Sequence, residues 1–353
     1  MSAGFGAYLH IPFCRTRCDY CAFSTFTDRH HLRSEYLQAV RTEIERAVAT
    51  GMRPTSSVFV GGGTPTQVDP EELGWVLDAI PMHDDAEVTV ECNPDDVTED
   101  LLRVYRRHRV NRISLGVQSM VSSVLAALGR THDPLGVASA VDAARAVGMP
   151  SYNLDLIYGA SGETVDQWRS TVTAALELEP PHISAYGLTV EPGTPLADDE
   201  QRWPDDDDQA DKYEIADDLL AAAGLLNYEV SNWARPGHES RHNRLYWAQG
   251  DYLGFGCAAH SHADGRRWWN VRTPDRFIEL IANGESAESG SETLTAETRR
   301  MEGLQLALRT REGVPGGVLP EDELDGFVER RGERVVLTRR GRLMANEVSL
   351  RLQ

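Results

Sequence analysis

Three cysteines fall within eight residues, Cys14-Arg-Thr-Arg-Cys18-Asp-Tyr-Cys21, in a C-x3-C-x2-C arrangement. The thiolate is the metal-binding form of cysteine, and three on one tight loop make a donor set for a metal centre. Structural zinc takes four protein ligands, usually as two separated pairs. Cys92 and Cys257 could supply a fourth, but neither lies in such a pair. A [4Fe–4S] cubane held through three of its irons suits three thiolates from one loop, with the fourth iron left to a non-protein ligand. A small molecule with an amino group and a carboxylate chelates such an iron, and S-adenosylmethionine carries both. An electron passed into its sulfonium would break a carbon–sulfur bond and give a 5′-deoxyadenosyl radical. The plainer readings of these cysteines are a zinc knuckle or incidental thiols.

The surrounding pattern supplies a scaffold for that loop. Residues 7–11 predict a strand just before it, and Leu32, Tyr36, Leu37, Val40, Ile44 and Val48 keep helical spacing up to Gly51. Further strands are predicted at 58–60, 88–90, 113–117, 154–158 and 183–188, with helices between them. Asp69-Pro70-Glu71-Glu72 reads as cap, first-turn proline and capping-box glutamate, and Thr164 with Gln167 reads as a second capping box. Six strand–helix repeats at about 30-residue spacing imply parallel strands with right-handed crossovers. A doubly wound sheet and a barrel both satisfy that pattern. Cys14, residues 61–64, Glu91, Gln118, Asp155 and Tyr186 all fall at, or just beyond, predicted strand ends. A barrel rim lets one ligand touch them all. The expected fold is α/β, a partial (β/α)6 barrel over residues 1–195.

Beyond residue 195 the texture changes. Trp203-Pro204 and the aspartates 205–208 read as a surface loop opening a helix through Leu219 and Leu220. Residues 228–270 are dense in aromatics, histidines and glycines, and 196–290 is read as an extension of the core. Residues 291–353 hold a helical stretch with Met301, Leu304, Leu306 and Leu308, then short strand and helix segments. They are read as a small helical or winged-helix-like domain.

The 353 residues carry 35 basic and 55 acidic side chains, a net charge of −20. That balance argues against a broad phosphate-binding face, and so against nucleic acid as a partner. No apolar run approaches the roughly 18 residues of a membrane span, and the N-terminus lacks the plan of a signal peptide. Five cysteines in so long a chain do not suggest a disulfide framework. The expectation is a cytoplasmic protein whose membrane association, at the inner face, is at most peripheral. Lys212 is the single lysine.

The run Tyr8-Leu-His-Ile-Pro-Phe-Cys-Arg-Thr-Arg-Cys-Asp-Tyr-Cys21 resembles the signature of the radical S-adenosylmethionine superfamily. More narrowly, the chain resembles the oxygen-independent coproporphyrinogen III dehydrogenase-like family, which has a heme-chaperone branch. The likeness continues through Gly61-Gly-Gly-Thr-Pro-Thr66, Glu91-Cys-Asn-Pro94, Gly116-Val-Gln-Ser119, Asn153-Leu-Asp-Leu-Ile-Tyr-Gly159 and His242-Asn-Arg-Leu-Tyr-Trp247. It implies a [4Fe–4S] cluster on Cys14, Cys18 and Cys21, with S-adenosylmethionine at the open iron. Tyr8, Tyr20, Gly62, Gly63, Thr64 and Glu91 are expected around that cofactor. The glycines would let backbone approach closely, and the Glu91 carboxylate suits an ammonium group. A tight turn and an arginine-paired carboxylate are the plainer alternatives. Gln118, Arg130 and Asp155 match positions that contact a second S-adenosylmethionine in the dehydrogenase. Arginine can clamp a carboxylate and aspartate can accept from ribose hydroxyls, although an Arg130–Asp155 salt bridge would explain both residues without a ligand.

His242 stands in a stretch that also holds Tyr228, Trp233, His238, Tyr252, Phe255, His260, His262, Trp268 and Trp269. Flat groups at this density fit a porphyrin plane with an axial nitrogen ligand, or simply an aromatic lid. The hexapeptide at 242–247 resembles the H-N-x-x-Y-W sequence linked to heme binding in the chaperone branch, which makes His242 the expected heme ligand. Two departures set the chain apart from the dehydrogenase. That branch carries a fourth cysteine two residues beyond the third, where this chain has Phe23, and it has a long N-terminal arm where only seven residues precede Tyr8 here. The expected function is a heme chaperone that binds heme, the cluster and S-adenosylmethionine and passes heme to apo-hemoproteins. Coproporphyrinogen III decarboxylation is expected to be absent; the dehydrogenase itself is the alternative.

Overall fold

The computed structural model describes residues 4–130 and 133–353. Strands β1 (Phe5–Ile11), β2 (Thr55–Gly62), β3 (Met82–Cys92), β4 (Arg112–Gln118), β5 (Ser151–Tyr158) and β6 (His182–Gly187) lie side by side in chain order, each parallel to the next. Helices α1 (Arg33–Ala49), α2 (Pro70–Leu77), α3 (Glu99–Arg107), α4 (Ser122–Ala127), α5 (Pro134–Ala146) and α6 (Val165–Glu177) form the crossovers. Alternation along each strand decides which face is which. Ala7, Leu9 and Ile11 of β1 are buried in one apolar cluster with Tyr36, Leu37, Val40 and Ile44 of α1. Tyr8 and His10 therefore point to the opposite, concave face. There the register aligns polar residues strand to strand: Glu91 beside Ser114, Ser114 beside Asn153, and Asn153 beside His182.

The parallel strands do not close on themselves. After α7 (Asp206–Ala222), β7 (Leu226–Glu229) and β8 (Asn232–Ala234) extend the β6 side in antiparallel fashion. Helix α8 (Arg241–Trp247) follows. Strand β9 (Asp251–Phe255) then returns to pair parallel with β1, and β10 (His260–Ala263), β11 (Arg266–Asn270) and β12 (Glu288–Thr293) continue antiparallel beyond it, with α9 (Pro274–Ala282) between the last two. The result is one 12-stranded open sheet curved into a partial barrel. The aromatic-rich stretch thus supplies strands to the core sheet, which its sequence pattern had not indicated.

Two helix starts differ from the sequence expectation. Asp69 caps the amides of Glu71 and Glu72, but the Glu72 carboxylate accepts from Ser34 Oγ at 3.0 Å and closes no capping box. The aspartate run is a helix start, not a loop: Asp205 caps α7, and Asp206, Asp207 and Asp208 form its first turn, where negative charge suits the helix dipole. At α6 the Thr164–Gln167 box forms in both directions. Lys212 is fully buried in α7, its Nζ donating to Glu163 O at 2.8 Å and Asp208 Oδ2 at 2.6 Å.

The last segment builds α10 (Ala296–Leu308), β13 (Val314–Pro315), β14 (Val328–Arg331), β15 (Arg334–Leu337), α11 (Arg339–Leu343) and α12 (Ala345–Ser349). Its three strands form a sheet of their own, over an apolar cluster that includes Leu308, Val314, Val335, Leu337 and Val348. Arg342 ties this part to α7 through Asp217 at 2.6 Å. Among the described residues no helix is long and apolar enough to cross a membrane.

Candidate functional site

A cavity of about 700 Å³ opens at the C-terminal ends of the parallel strands. That size is ordinary for a site holding a small organic molecule. Cys14, Cys18, Cys21, Tyr20, Gly62, Gly63, Thr64, Glu91, Gln118, Arg130 and Asp155 all line it, with Phe23 and Tyr186 also in its wall. Tyr8 stands apart from this lining. Its hydroxyl meets His10 Nδ1 at 3.1 Å, and His10 Nε2 reaches Ser24 O at 3.0 Å, on the far side of the cysteine loop. His10 is buried, and burial pushes its pKa down to about 4, so a neutral ring holds this position.

The cysteine loop is held by backbone as well as by His10. Gly63 N donates to Ile11 O at 2.7 Å and Thr64 N to Phe13 O at 2.8 Å, clamping the β2 turn onto the chain entering the loop. A Cβ on Gly63 would lie 2.8 Å from both carbonyl oxygens. Gly62 has φ +107°, and a Cβ there would lie 2.3 Å from the His10 ring. These two glycines are demanded by the protein's own close packing, in addition to lining the cavity.

The three thiols are free of disulfides. Burial pushes the Cys14 and Cys21 thiols up, and the neighbouring sulfurs add to the effect. Deprotonating them together calls for a cationic centre. Among the described residues no three His, Cys, Asp or Glu side chains come together to hold a single metal ion. The sulfurs instead line one cavity wall, a donor set that fits a cubane taking each thiolate on a different iron. Thr64 Oγ1 lies 3.6 Å from Cys14 Sγ and Arg130 Nη1 lies 3.5 Å from Cys18 Sγ, so two polar groups face the sulfurs. Cys92 is buried at the end of β3, in the wall of the same cavity but outside the cysteine loop, and Cys257 is buried away from it, 3.6 Å from the Tyr36 hydroxyl.

Two carboxylates line the cavity, Glu91 near the end of β3 and Asp155 in the middle of β5. Burial, then repulsion from Asp155, pushes Glu91 up to about 8, against the pull of the Gly62 amide at 3.3 Å. Asp155 is also raised by burial, although Ser114 Oγ at 2.7 Å and Asn153 Nδ2 at 2.8 Å both donate to it. Arg130 reaches Cys18, Gly116 O at 3.0 Å and Asn93 Oδ1 at 3.4 Å, and these contacts do not include Asp155. The ligand-free salt bridge between them is therefore not formed. A fixed guanidinium and two buried carboxylates lining one cavity can sort a zwitterion, with its carboxylate toward the guanidinium and its ammonium toward a carboxylate. His10, Asn93, Ser114 and Asn153 were not singled out in the sequence. His10 was discoverable, because it follows Tyr8 at the two-residue spacing of one strand face.

His242 lies away from this cavity. It is fully buried at the start of α8, with Ser57 Oγ 3.0 Å from Nδ1 and the Tyr246 hydroxyl 2.8 Å from Nε2. Burial pushes its pKa down to about 3. Its own amide and that of Arg241 donate to Glu87 at 3.1 Å each, and Phe59 stacks on the ring at 5.4 Å. Nor do the neighbouring aromatics form a single plane. Trp233 and Phe255 are core residues, while Tyr228 is spent on His182 at 2.8 Å.

The radical SAM superfamily model matches residues 8–175. The chain is 42% identical to the heme chaperone HemW of Mycobacterium tuberculosis, across 98% of this chain and 93% of that protein. It is 34% identical to the heme chaperone HemW of Bacillus subtilis, across 97% of each. The coproporphyrinogen III oxidase HemN of Escherichia coli, described as a radical SAM enzyme, superposes with a TM-score of 0.86 over 99% of this chain and 89% of that one, at 22% identity, a likeness of fold. With relatives of this identity along nearly its whole length, the chain belongs to the HemW family of radical SAM proteins.

Proposed function

We propose that this protein is a heme chaperone that binds heme and passes it to apo-hemoproteins, and that it carries a [4Fe–4S] cluster and S-adenosylmethionine in the cavity described above. The observation that carries the reading is the near-full-length similarity to proteins named as heme chaperones. Cys14, Cys18 and Cys21 would hold the cluster. When bound, it supplies an electron to the sulfonium of its ligand. The chain's own part is to position. Gly63 and Thr64 fix the loop, Glu91 receives the ammonium group, and Arg130 with Gln118 and Asp155 surrounds the rest of one or two such ligands. Tyr20 closes the wall beside Cys18. Tyr8 supports the loop from below through His10.

Phe23 supports the chaperone over the dehydrogenase, since it puts an exposed phenyl ring on the cavity wall where the other branch has a cysteine. His242 is the heme ligand that its sequence suggests, and ligation there requires α8 to give up the Tyr246 contact. We read residues 1–195, 196–290 and 291–353 as core, heme-handling extension and C-terminal domain, and delivery as cytoplasmic with acceptors at the inner membrane face. The test is anaerobic reconstitution followed by two assays. Heme should move from the loaded protein to an apo-hemoprotein, and coproporphyrinogen III with excess S-adenosylmethionine should remain unconverted. Catalytic formation of protoporphyrinogen would overturn the assignment.

A further inference from the structure

We infer that His260 is an iron-ligating residue, the imidazole open to an incoming heme while His242 is enclosed; this rests on the heme-handling reading above. Four histidines lie in the 228–270 stretch; His242 has both ring nitrogens bonded within the protein, and His238 and His262 each have Nδ1 bonded. His242 is held by Ser57 and Tyr246, His238 Nδ1 meets Ser151 Oγ at 3.0 Å, and His262 Nδ1 meets Gly250 O at 3.0 Å. His260, the first residue of β10, is exposed, and among the described residues neither ring nitrogen has a hydrogen-bond partner.

Its ring is nevertheless oriented. His260 pairs across the strands with Trp269 of β11, and the two rings stack at 5.8 Å with an interplanar angle of 29°. Trp269 is seated in turn against Gly290 of β12, where a Cβ would come within 2.6 Å of the indole. A stacked indole fixes the plane of an imidazole without using either nitrogen. That leaves one lone pair for a metal and the second nitrogen for water, the arrangement an axial ligand needs. The backbone of β10 and β11 adjoins the segments that flank the cysteine loop. His260 O packs against Gly254, which pairs with Tyr8, and Asn270, at the end of β11, leads to Arg272, whose carbonyl takes Ser24 Oγ at 3.0 Å. Heme held there would stand near the segments that flank that loop.

Hemin titration of the purified protein, followed at the Soret band, tests this together with diethylpyrocarbonate labelling read by mass spectrometry. Before hemin is added, His260 should label and His242 should not; hemin should then protect His260. His260→Ala and His260→Gln should weaken hemin binding about tenfold or more with an unchanged circular dichroism spectrum. Free imidazole added to His260→Gly should restore the ligated spectrum. His83→Ala, at the opposite end of β3, should titrate like the wild type. Wild-type-like titration of both His260→Ala and His260→Gln, or labelling of His260 that hemin leaves unchanged, would overturn the inference alone. A wild-type protein that ignores hemin would overturn the heme-handling reading and this inference with it.

Discussion

The Gly62 amide points at the Glu91 carboxylate across 3.3 Å, joining the tips of β2 and β3 at the cavity rim. It is the single hydrogen bond opposing two larger effects, burial and the nearby Asp155, that together lift Glu91 to about 8. An acid raised in the folded state keeps a proton that the unfolded chain releases. Stability therefore falls as pH rises from the usual 4.5 to about 8. Urea unfolding of the ligand-free protein should show that decline, and Glu91→Gln should flatten it. Binding of a cationic ammonium ligand should run the other way, strengthening as Glu91 ionises, and should lose its pH dependence in the same variant.

Gly63→Ala places a methyl group 2.8 Å from Ile11 O and Phe13 O, in backbone that cannot step aside. The clamp on the cysteine loop should open, with a loss of about 1–3 kcal/mol in stability. Iron and sulfide bound after reconstitution should drop severalfold while the helical signal persists. Full iron loading in this variant would show that the clamp is dispensable.

Cys14→Ala, Cys18→Ala and Cys21→Ala should each prevent the brown chromophore from forming during anaerobic reconstitution. Cys92→Ala and Cys257→Ala should leave it in place, because both residues are buried outside the loop. Zinc retained in tetrahedral sulfur coordination, seen by X-ray absorption, would contradict the cluster assignment.

His242→Ala should behave first as a stability variant. It strands Ser57 Oγ and the Tyr246 hydroxyl and removes a fully buried ring, changes that together cost about 2–5 kcal/mol. Tyr246→Phe removes only the Nε2 partner and should cost about 1–3 kcal/mol while making His242 easier to reach. If heme affinity rises in Tyr246→Phe, the hydroxyl is a latch over a true ligand. If affinity is unchanged in both variants, His242 serves the fold.

The rim was legible in the sequence because strand ends are marked locally. The apolar run 113–117 stops at Gln118, and parallel order brings that tip to the cavity, which Asp155 reaches from the middle of β5. The strands β9 to β12 were not legible. Segments such as His260–Ala263 are four residues long, polar and partly buried, and gain their place from pairing with neighbours. The enclosure of His242 was hidden for a related reason. Its partners Ser57 and Glu87 come from β2 and β3, about 150 residues or more away in the chain, and no local pattern announces them. The alternative of an Arg130–Asp155 salt bridge failed on geometry: Arg130 turns toward Cys18 and Gly116 instead.

The sole lysine is walled in by Glu163 and Asp208 and has no exposed surface. Amine-reactive dyes and crosslinkers will accordingly find no lysine on the folded molecule, whose surface cations are guanidinium groups. The same burial turns Lys212 into an intrinsic reporter. Its acylation, timed against a denaturant ramp, would read out when α7 peels from the loop before α6, without any label being engineered.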